Sequence, residues 1–223
     1  MTATPCVSAF RWVPPFAQGF VRDLRVRWAL EEAGLPYEAN LVGFEDTATP
    51  GYRAWQPFGQ VPAYRDGEVE MFESGAIVFH IAEQSEALCP KDVAGRAWVL
   101  TWIIAALNSV EPHVQNLVRL DTFHAGEAWT VERRPQAEAM LKNRLSGLSA
   151  WLGDKDYLEG RFTAGDIVMA CVLRELAATD ALAPFPNLEA YYRRCEARPA
   201  FGRAMEAQLQ AFREHEPAQT EPA

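Results

Sequence analysis

Gln60-Val61-Pro62-Ala63-Tyr64, an Arg65-Asp66-Gly67 turn, then Met71-Phe72-Glu73-Ser74-Gly75-Ala76 is the stretch around which the rest of the chain is organised. The ring of Pro62 biases Val61 away from helix, so Val61-Pro62-Ala63 reads as extended chain. Asp66-Gly67 between two short runs is a strong local signal for a hairpin turn. Glu73-Ser74 then opens a helix with apolar residues at Ala76, Ile77 and Ile81. A polar pair at a helix start gathers a carboxylate, a hydroxyl and unpaired backbone N–H groups at one point. That set suits a ligand carrying both a carboxylate and an ammonium. A plain hairpin followed by a capped helix explains the same residues, so by itself the stretch leaves both readings open.

Toward the N-terminus, Cys6–Phe10 reads as a short strand and the Pro14, Pro15 and Gly19 segment as a loop. A helix follows from about Phe20 to Ala33, with the apolar stripe Val26, Ala29, Leu30 and Ala33, and with Gly34 and Pro36 as its stop. Tyr37–Val42 is a second strand, and Pro50–Trp55 a short helix. The order βαβ then ββα over residues 1–84 predicts a mixed sheet with helices on both faces. The pattern lapses over Gln84–Asp92, and residues 93–223 read as all-helical. Ala94–Val110 is apolar on most faces and is expected to be deeply packed, with Pro112 kinking or breaking the helix. A long helix starts at Thr130 or Pro135 and runs to Leu152. Thr163 with Asp166 forms a capping box before an apolar helix that belongs at the centre of a bundle. Leu188–Ala197 and Pro199–Arg213 close the chain.

The 223 residues, 49% hydrophobic and 23% charged, can bury a sizeable core. A net charge of −9 argues against nucleic acid and against an anionic membrane surface as partners. Cys6, Cys89, Cys171 and Cys195 stand far apart with no metal-ligand spacing, which favours free thiols, a reducing compartment and no metal site. No basic-then-apolar leader is visible, and the apolar run Ala97–Ala106 is well short of the roughly 20 residues that span a bilayer. A cytoplasmic location is expected. His80, His113 and His124 have no partner spacing for metal or acid–base work, and Trp98 and Trp102 at i, i+4 are core residues or the wall of a hydrophobic pocket.

Three motifs in order resemble the glutathione transferase family: Arg27–Glu38, the Val61-Pro62 to Glu73-Ser74 stretch, and the Thr163–Asp166 box. The resemblance covers nearly the whole chain. It implies a thioredoxin-like mixed-sheet domain over 1–84 and an all-helical domain over 93–223, a homodimer, and a role in detoxification. It also implies glutathione as co-substrate and a cis Pro62. Val61 would receive the cysteinyl main chain, Glu73 the γ-glutamyl ammonium, Ser74 the γ-glutamyl carboxylate, and Gln60 the glycyl carboxylate. The chain departs from the family where a Tyr, Ser or Cys contacts the sulfur. Counting forward from the strand gives Pro14, and counting back from Val26 gives Arg22, while Ser8 lies too early, within the strand. Arg22, expected to face inward, and the backbone around Gln18 and Gly19 are the candidates to stabilise the thiolate. Two functions follow: an enzyme that activates the glutathione thiol against a small hydrophobic electrophile or in thiol–disulfide chemistry, or a non-catalytic partner-binding protein of the same fold.

Overall fold

The computed structural model describes residues 4–67 and 69–217. They divide into two compact units, one made of the described residues up to Val78 together with those from Pro199 onward, the other of Phe79–Arg198. The first unit contains β1 (Cys6–Phe10), α1 (Asp23–Ala33), β2 (Glu38–Val42), α2 (Pro50–Trp55), β3 (Ala63–Arg65), β4 (Glu70–Phe72) and the start of α3 (Ser74–Ala82). The sheet order is β2-β1-β3-β4. β1 and β2 are parallel, from Cys6 opposite Glu38 to Phe10 opposite Val42, and the crossover that parallel pairing demands is α1. β3 runs antiparallel to β1, with Val7 opposite Tyr64, and β4 antiparallel to β3. The fold is therefore the expected thioredoxin-like mixed sheet, followed by helices.

α1 begins at Asp23 rather than near Phe20, and ends where Gly34 takes a left-handed conformation at φ 67°. Every residue from Asp23 to Leu30 is buried. One stripe against the sheet cannot account for that; the outer face is covered by α9 (Pro199–Glu214). Its inward residues Ala200, Phe201, Ala204, Gln208, Ala211 and Phe212 repeat at helical spacing. Phe201 meets Trp28 edge-on at 4.9 Å, and Gln208 Nε2 donates to Asp23 Oδ1 at 2.7 Å. Asp23 also pairs with Arg27 at 2.7 Å, so the charges buried on α1 are hydrogen-bonded. By packing, then, the last helix of the 93–223 segment sides with the first unit, because α1 presents a buried polar pair that needs a partner helix.

The second unit holds α4 (Val93–Ile104), a π-helical turn (Ala105–Val110), α5 (Glu111–Thr122), α6 (Ala128–Leu152), α7 (Ala164–Arg174) and α8 (Pro186–Glu196). Pro112 does not end the helix. The turn before it widens to the π form, and Pro112 falls in the first turn of α5, where its missing N–H costs nothing. α4 is not deeply packed as expected. Val99 and Ile103 are buried, but Trp98, Leu100 and Ile104 are 41%, 39% and 53% exposed, so one apolar face is open in the single chain. Val93–Thr122, 30 residues with a mean hydropathy of 1.4 in its most apolar window, is long and apolar enough to cross a bilayer by length and composition. That exceeds the Ala97–Ala106 run considered from sequence.

α7 is buried from Ala164 to Leu173 and packs against both α4 and α8. The capping box forms as read: Asp166 Oδ2 accepts from Thr163 N–H at 2.8 Å. Asp166 Oδ1 takes Leu158 N–H at 3.0 Å and the Tyr191 hydroxyl at 2.9 Å. Gly165 allows α7 to approach α4, since a Cβ there would lie 2.6 Å from Trp102 Cβ. Trp98 and Trp102 each lie 5.3 Å from the Trp151 ring, forming an aromatic cluster.

Candidate functional site

The β3–β4 register assembles the site. Ala63 stands opposite Phe72, so Pro62 and Glu73 are the next residues outward from that pair, and Val61 and Ser74 follow. The Val61-Pro62 bond is cis, and Val61 lies outside the ladder that Ala63 begins. Glu73 is exposed and left-handed at φ 72°, an uncommon conformation for a residue with a side chain. Its carbonyl accepts the Ile77 N–H at 3.0 Å, so Glu73 precedes the first turn and Ser74 opens α3 with its N–H at the positive end of the helix. Gln60 is exposed, while Val61, Pro62 and Ser74 are buried.

A hydrogen-bond chain braces both ends of the cis bond. Ala63 N–H donates to Ser8 Oγ at 2.7 Å, Ser8 and Tyr52 hydroxyls lie 2.8 Å apart, and Tyr52 O–H donates to the Gln60 carbonyl at 2.7 Å. The two ends fix every proton: the amide can only donate and the carbonyl only accept, so Ser8 O–H must point to Tyr52 Oη. Burial pushes the Tyr52 phenol above its ordinary pKa, which keeps it the neutral donor this chain needs. Gln56 Oε1 accepts from Phe58 N–H at 2.8 Å and Gln60 N–H at 3.1 Å, holding the approach to Gln60.

Ser74 Oγ has a partner on α1: Arg25 Nη1 donates to it at 3.3 Å. Arg22, at the N-cap of α1, is exposed instead of facing inward. The stripe of Val26, Ala29 and Leu30, extended back one turn, runs past the point where α1 is covered. Gln18 is half-buried; its backbone N–H, expected to serve the thiolate, donates to the Pro15 carbonyl at 3.2 Å instead, and its Nε2 donates to the Val13 carbonyl at 3.1 Å, so part of its donor capacity is spent within the loop. In the same loop Trp12 Nε1 is buried with no hydrogen-bond partner among the described residues. Ser8, set aside as too early, is confirmed within β1 and serves the brace. Among the described residues no cluster of His, Cys, Asp or Glu has the geometry to hold a metal ion.

Residues 18–83 match the family model for the glutathione S-transferase N-terminal domain, and 124–199 the model for its C-terminal domain. A maize protein named glutathione S-transferase 4 is 30% identical over 212 residues, 89% of this chain and 91% of its own. The chain belongs to the glutathione S-transferase family. A second relative, glutathione S-transferase F9 of Arabidopsis thaliana, is 31% identical over 171 residues, covering 73% of this chain and 77% of its own. Among solved structures, a glutathione transferase from Burkholderia graminis with two glutathione molecules bound per subunit superposes with a TM-score of 0.79 at 26% identity. It spans 92% of this chain and 88% of its own. A family member from Pseudomonas fluorescens, also with two glutathiones bound, gives 0.77 at 25% identity, covering 91% of this chain and 92% of its own.

Tyr52 and Arg25, which hydrogen-bond to Gln60 and Ser74, are not among the residues singled out from the sequence. Ser8 carried a signal, being a hydroxyl in an otherwise apolar strand, and a buried hydroxyl implies a partner. Arg25 carried no such signal, because its burial depends on the outer face of α1 being covered by α9.

Proposed function

We propose that the chain binds glutathione at the β4–α3 junction and activates its thiol for attack on a small hydrophobic electrophile. The observation that carries this is the register that sets Ser74, with its hydroxyl and helix-start N–H, next to cis Val61-Pro62. Glu73 meets the γ-glutamyl ammonium, Ser74 the γ-glutamyl carboxylate, Val61 the cysteinyl main chain and Gln60 the glycyl carboxylate. Such binding orients the thiol and lowers the entropy cost of the reaction. Thiolate stabilisation is assigned to the exposed Arg22 and the remaining donor of Gln18, since only about 3% of an ordinary thiol of pKa near 8.5 is ionised at pH 7.

Thiol–disulfide exchange is a second reading, favoured by the similar structures that hold two glutathiones, in one of them per subunit. Assays with 1-chloro-2,4-dinitrobenzene and with 2-hydroxyethyl disulfide separate the two. A homodimer is supported by the open apolar face around Leu100 and Ile104, and a cytoplasmic setting by four cysteines that form no disulfide among the described residues. A mass in solution that stays monomeric at all concentrations would refute the dimer.

Titration of glutathione into the wild type and Ser74→Ala tests the binding site. Loss of a charged hydrogen bond should weaken affinity roughly ten- to a hundredfold. Equal affinities, or no binding by either protein, would remove this reading.

A further inference from the structure

The side chain behind Ser74 bears on how the site chooses its ligand. Ser74 is the first residue of α3, while the cap position belongs to Glu73, whose carbonyl accepts the first helical bond from Ile77 at 3.0 Å. Its hydroxyl is therefore not needed as the helix cap. The oxygen instead accepts from Arg25 Nη1 at 3.3 Å, across α1 and α3. Arg25 and Ser74 are only 3% and 5% exposed, so the contact is shielded from water.

A serine hydroxyl has one proton and can serve as donor, acceptor or both. With a guanidinium donating into its oxygen, the proton is directed away from Arg25. We propose that Arg25 is a positioning residue that holds the Ser74 hydroxyl as a donor and makes the site select for a ligand carboxylate. The inference rests on the glutathione reading above and adds the specificity of its γ-glutamyl subsite. Three effects act in one direction. The lone pair facing Arg25 is occupied, so a ligand amide or ammonium gains little by approaching Ser74. The polarised O–H is a stronger donor to an anion. The buried positive charge adds to the helix-start N–H in attracting a carboxylate where screening is weak. Arg25 acts through Ser74 and need not touch the ligand.

The test titrates wild type, Arg25→Met and Arg25→Lys with two ligands: glutathione, and 4-aminobutyryl-cysteinyl-glycine, which lacks only the γ-glutamyl α-carboxylate. Wild type should prefer glutathione by about ten- to a hundredfold. Arg25→Met should bring that preference to about threefold or less, with the analogue's affinity changed by less than about twofold. Arg25→Lys, which keeps the charge without the planar fork, should fall between. In a Ser74→Ala background Arg25→Met should cost glutathione clearly less than it does in the wild type, because only the effect of the charge remains to be lost. Should Arg25→Met fail to fold, Arg25→Lys carries the comparison alone, with the preference reduced at least about threefold. A preference that survives both substitutions, or an equal weakening of both ligands, would overturn the role of Arg25 while leaving the glutathione site standing. Absence of glutathione binding by the wild type would overturn both.

Discussion

Tyr52→Phe removes one oxygen from the brace around Val61-Pro62 and changes almost no volume. Two hydrogen bonds go with it, the 2.8 Å contact with Ser8 and the 2.7 Å donation to the Gln60 carbonyl. Their fates differ. Gln60 is exposed, so water can reach its carbonyl, and that loss is the ordinary net value of about 1 kcal/mol. Ser8 is fully buried and its oxygen still accepts from Ala63 N–H, leaving its proton with no acceptor, at about 1–3 kcal/mol. The expected destabilisation is therefore about 2–4 kcal/mol by urea denaturation, with the m-value unchanged. Glutathione affinity should fall as well, because the segment that presents Val61 loses its anchor at Gln60. Ser8→Ala strands the Ala63 N–H, and the double variant should cost less than the two singles summed, since both break one chain. A Tyr52→Phe protein within about 0.5 kcal/mol of wild type would show that the two hydroxyls are not coupled and refute the brace.

Asp166→Ala leaves four buried donors, the Leu158 and Thr163 N–H groups and the Thr163 and Tyr191 hydroxyls, without their acceptor, and should destabilise by about 3–5 kcal/mol in the same assay. Gly165→Ala should cost about 1–3 kcal/mol, read as a lower Tm, because the new Cβ meets Trp102 at 2.6 Å on a rigid helix; an unchanged Tm would mean α4 and α7 can separate freely. Burial raises the phenol pKa of Tyr52, Tyr64 and Tyr191 above 10, so the native state keeps protons that the unfolded chain releases. Their contribution is fully present below pH 10 and lost as pH rises above it, so stability should decline from about pH 10 upward. Absorbance titration near 295 nm should show these tyrosines ionising late or only on unfolding.

The elements most legible in the sequence were those whose cause is local. Cys6–Phe10 and Pro50–Trp55 fall where strand propensity and an N1 proline put them, and Gly34 stops α1 through its own left-handed backbone. The Thr163–Asp166 box is likewise a contact between near neighbours, so four residues suffice to read it. Misreadings arose where a distant segment decides. Whether α1 is half or wholly buried depends on α9, some 170 residues later, and no periodicity within 23–33 contains that. Of the kink or break that Pro112 predicts, the break is the part that fails: a π turn precedes the proline and the helix continues from Val93 to Thr122.

The same division separates the two halves of the proposed site, the ligand-binding residues of the hairpin and the thiol-activating candidates of the loop. Gln60, Val61, Pro62, Glu73 and Ser74 sit on two ends of one short hairpin, so a two-residue-period register brings them together without help from elsewhere. The loop between β1 and α1 has no such ruler. Its shape depends on contacts such as Arg11 N–H to the Val42 carbonyl at 2.9 Å and Gln18 to Val13 at 3.1 Å, and α1 starts three residues later than apolar spacing implied. A shift of that size leaves the same stripe in register but moves Arg22 beyond the covered part of the helix. Arg22 and Arg25 are one turn apart, yet the first is exposed and the second is held against Ser74. On the proposed reading, the buried guanidinium stands at the carboxylate end of the site, and the exposed Arg22 would act from the solvent side, where screening weakens it. Arg22, on that reading, acts as an exposed cation and shares thiolate stabilisation with the Gln18 side chain, so removing either one alone is expected to raise the thiol pKa only in part.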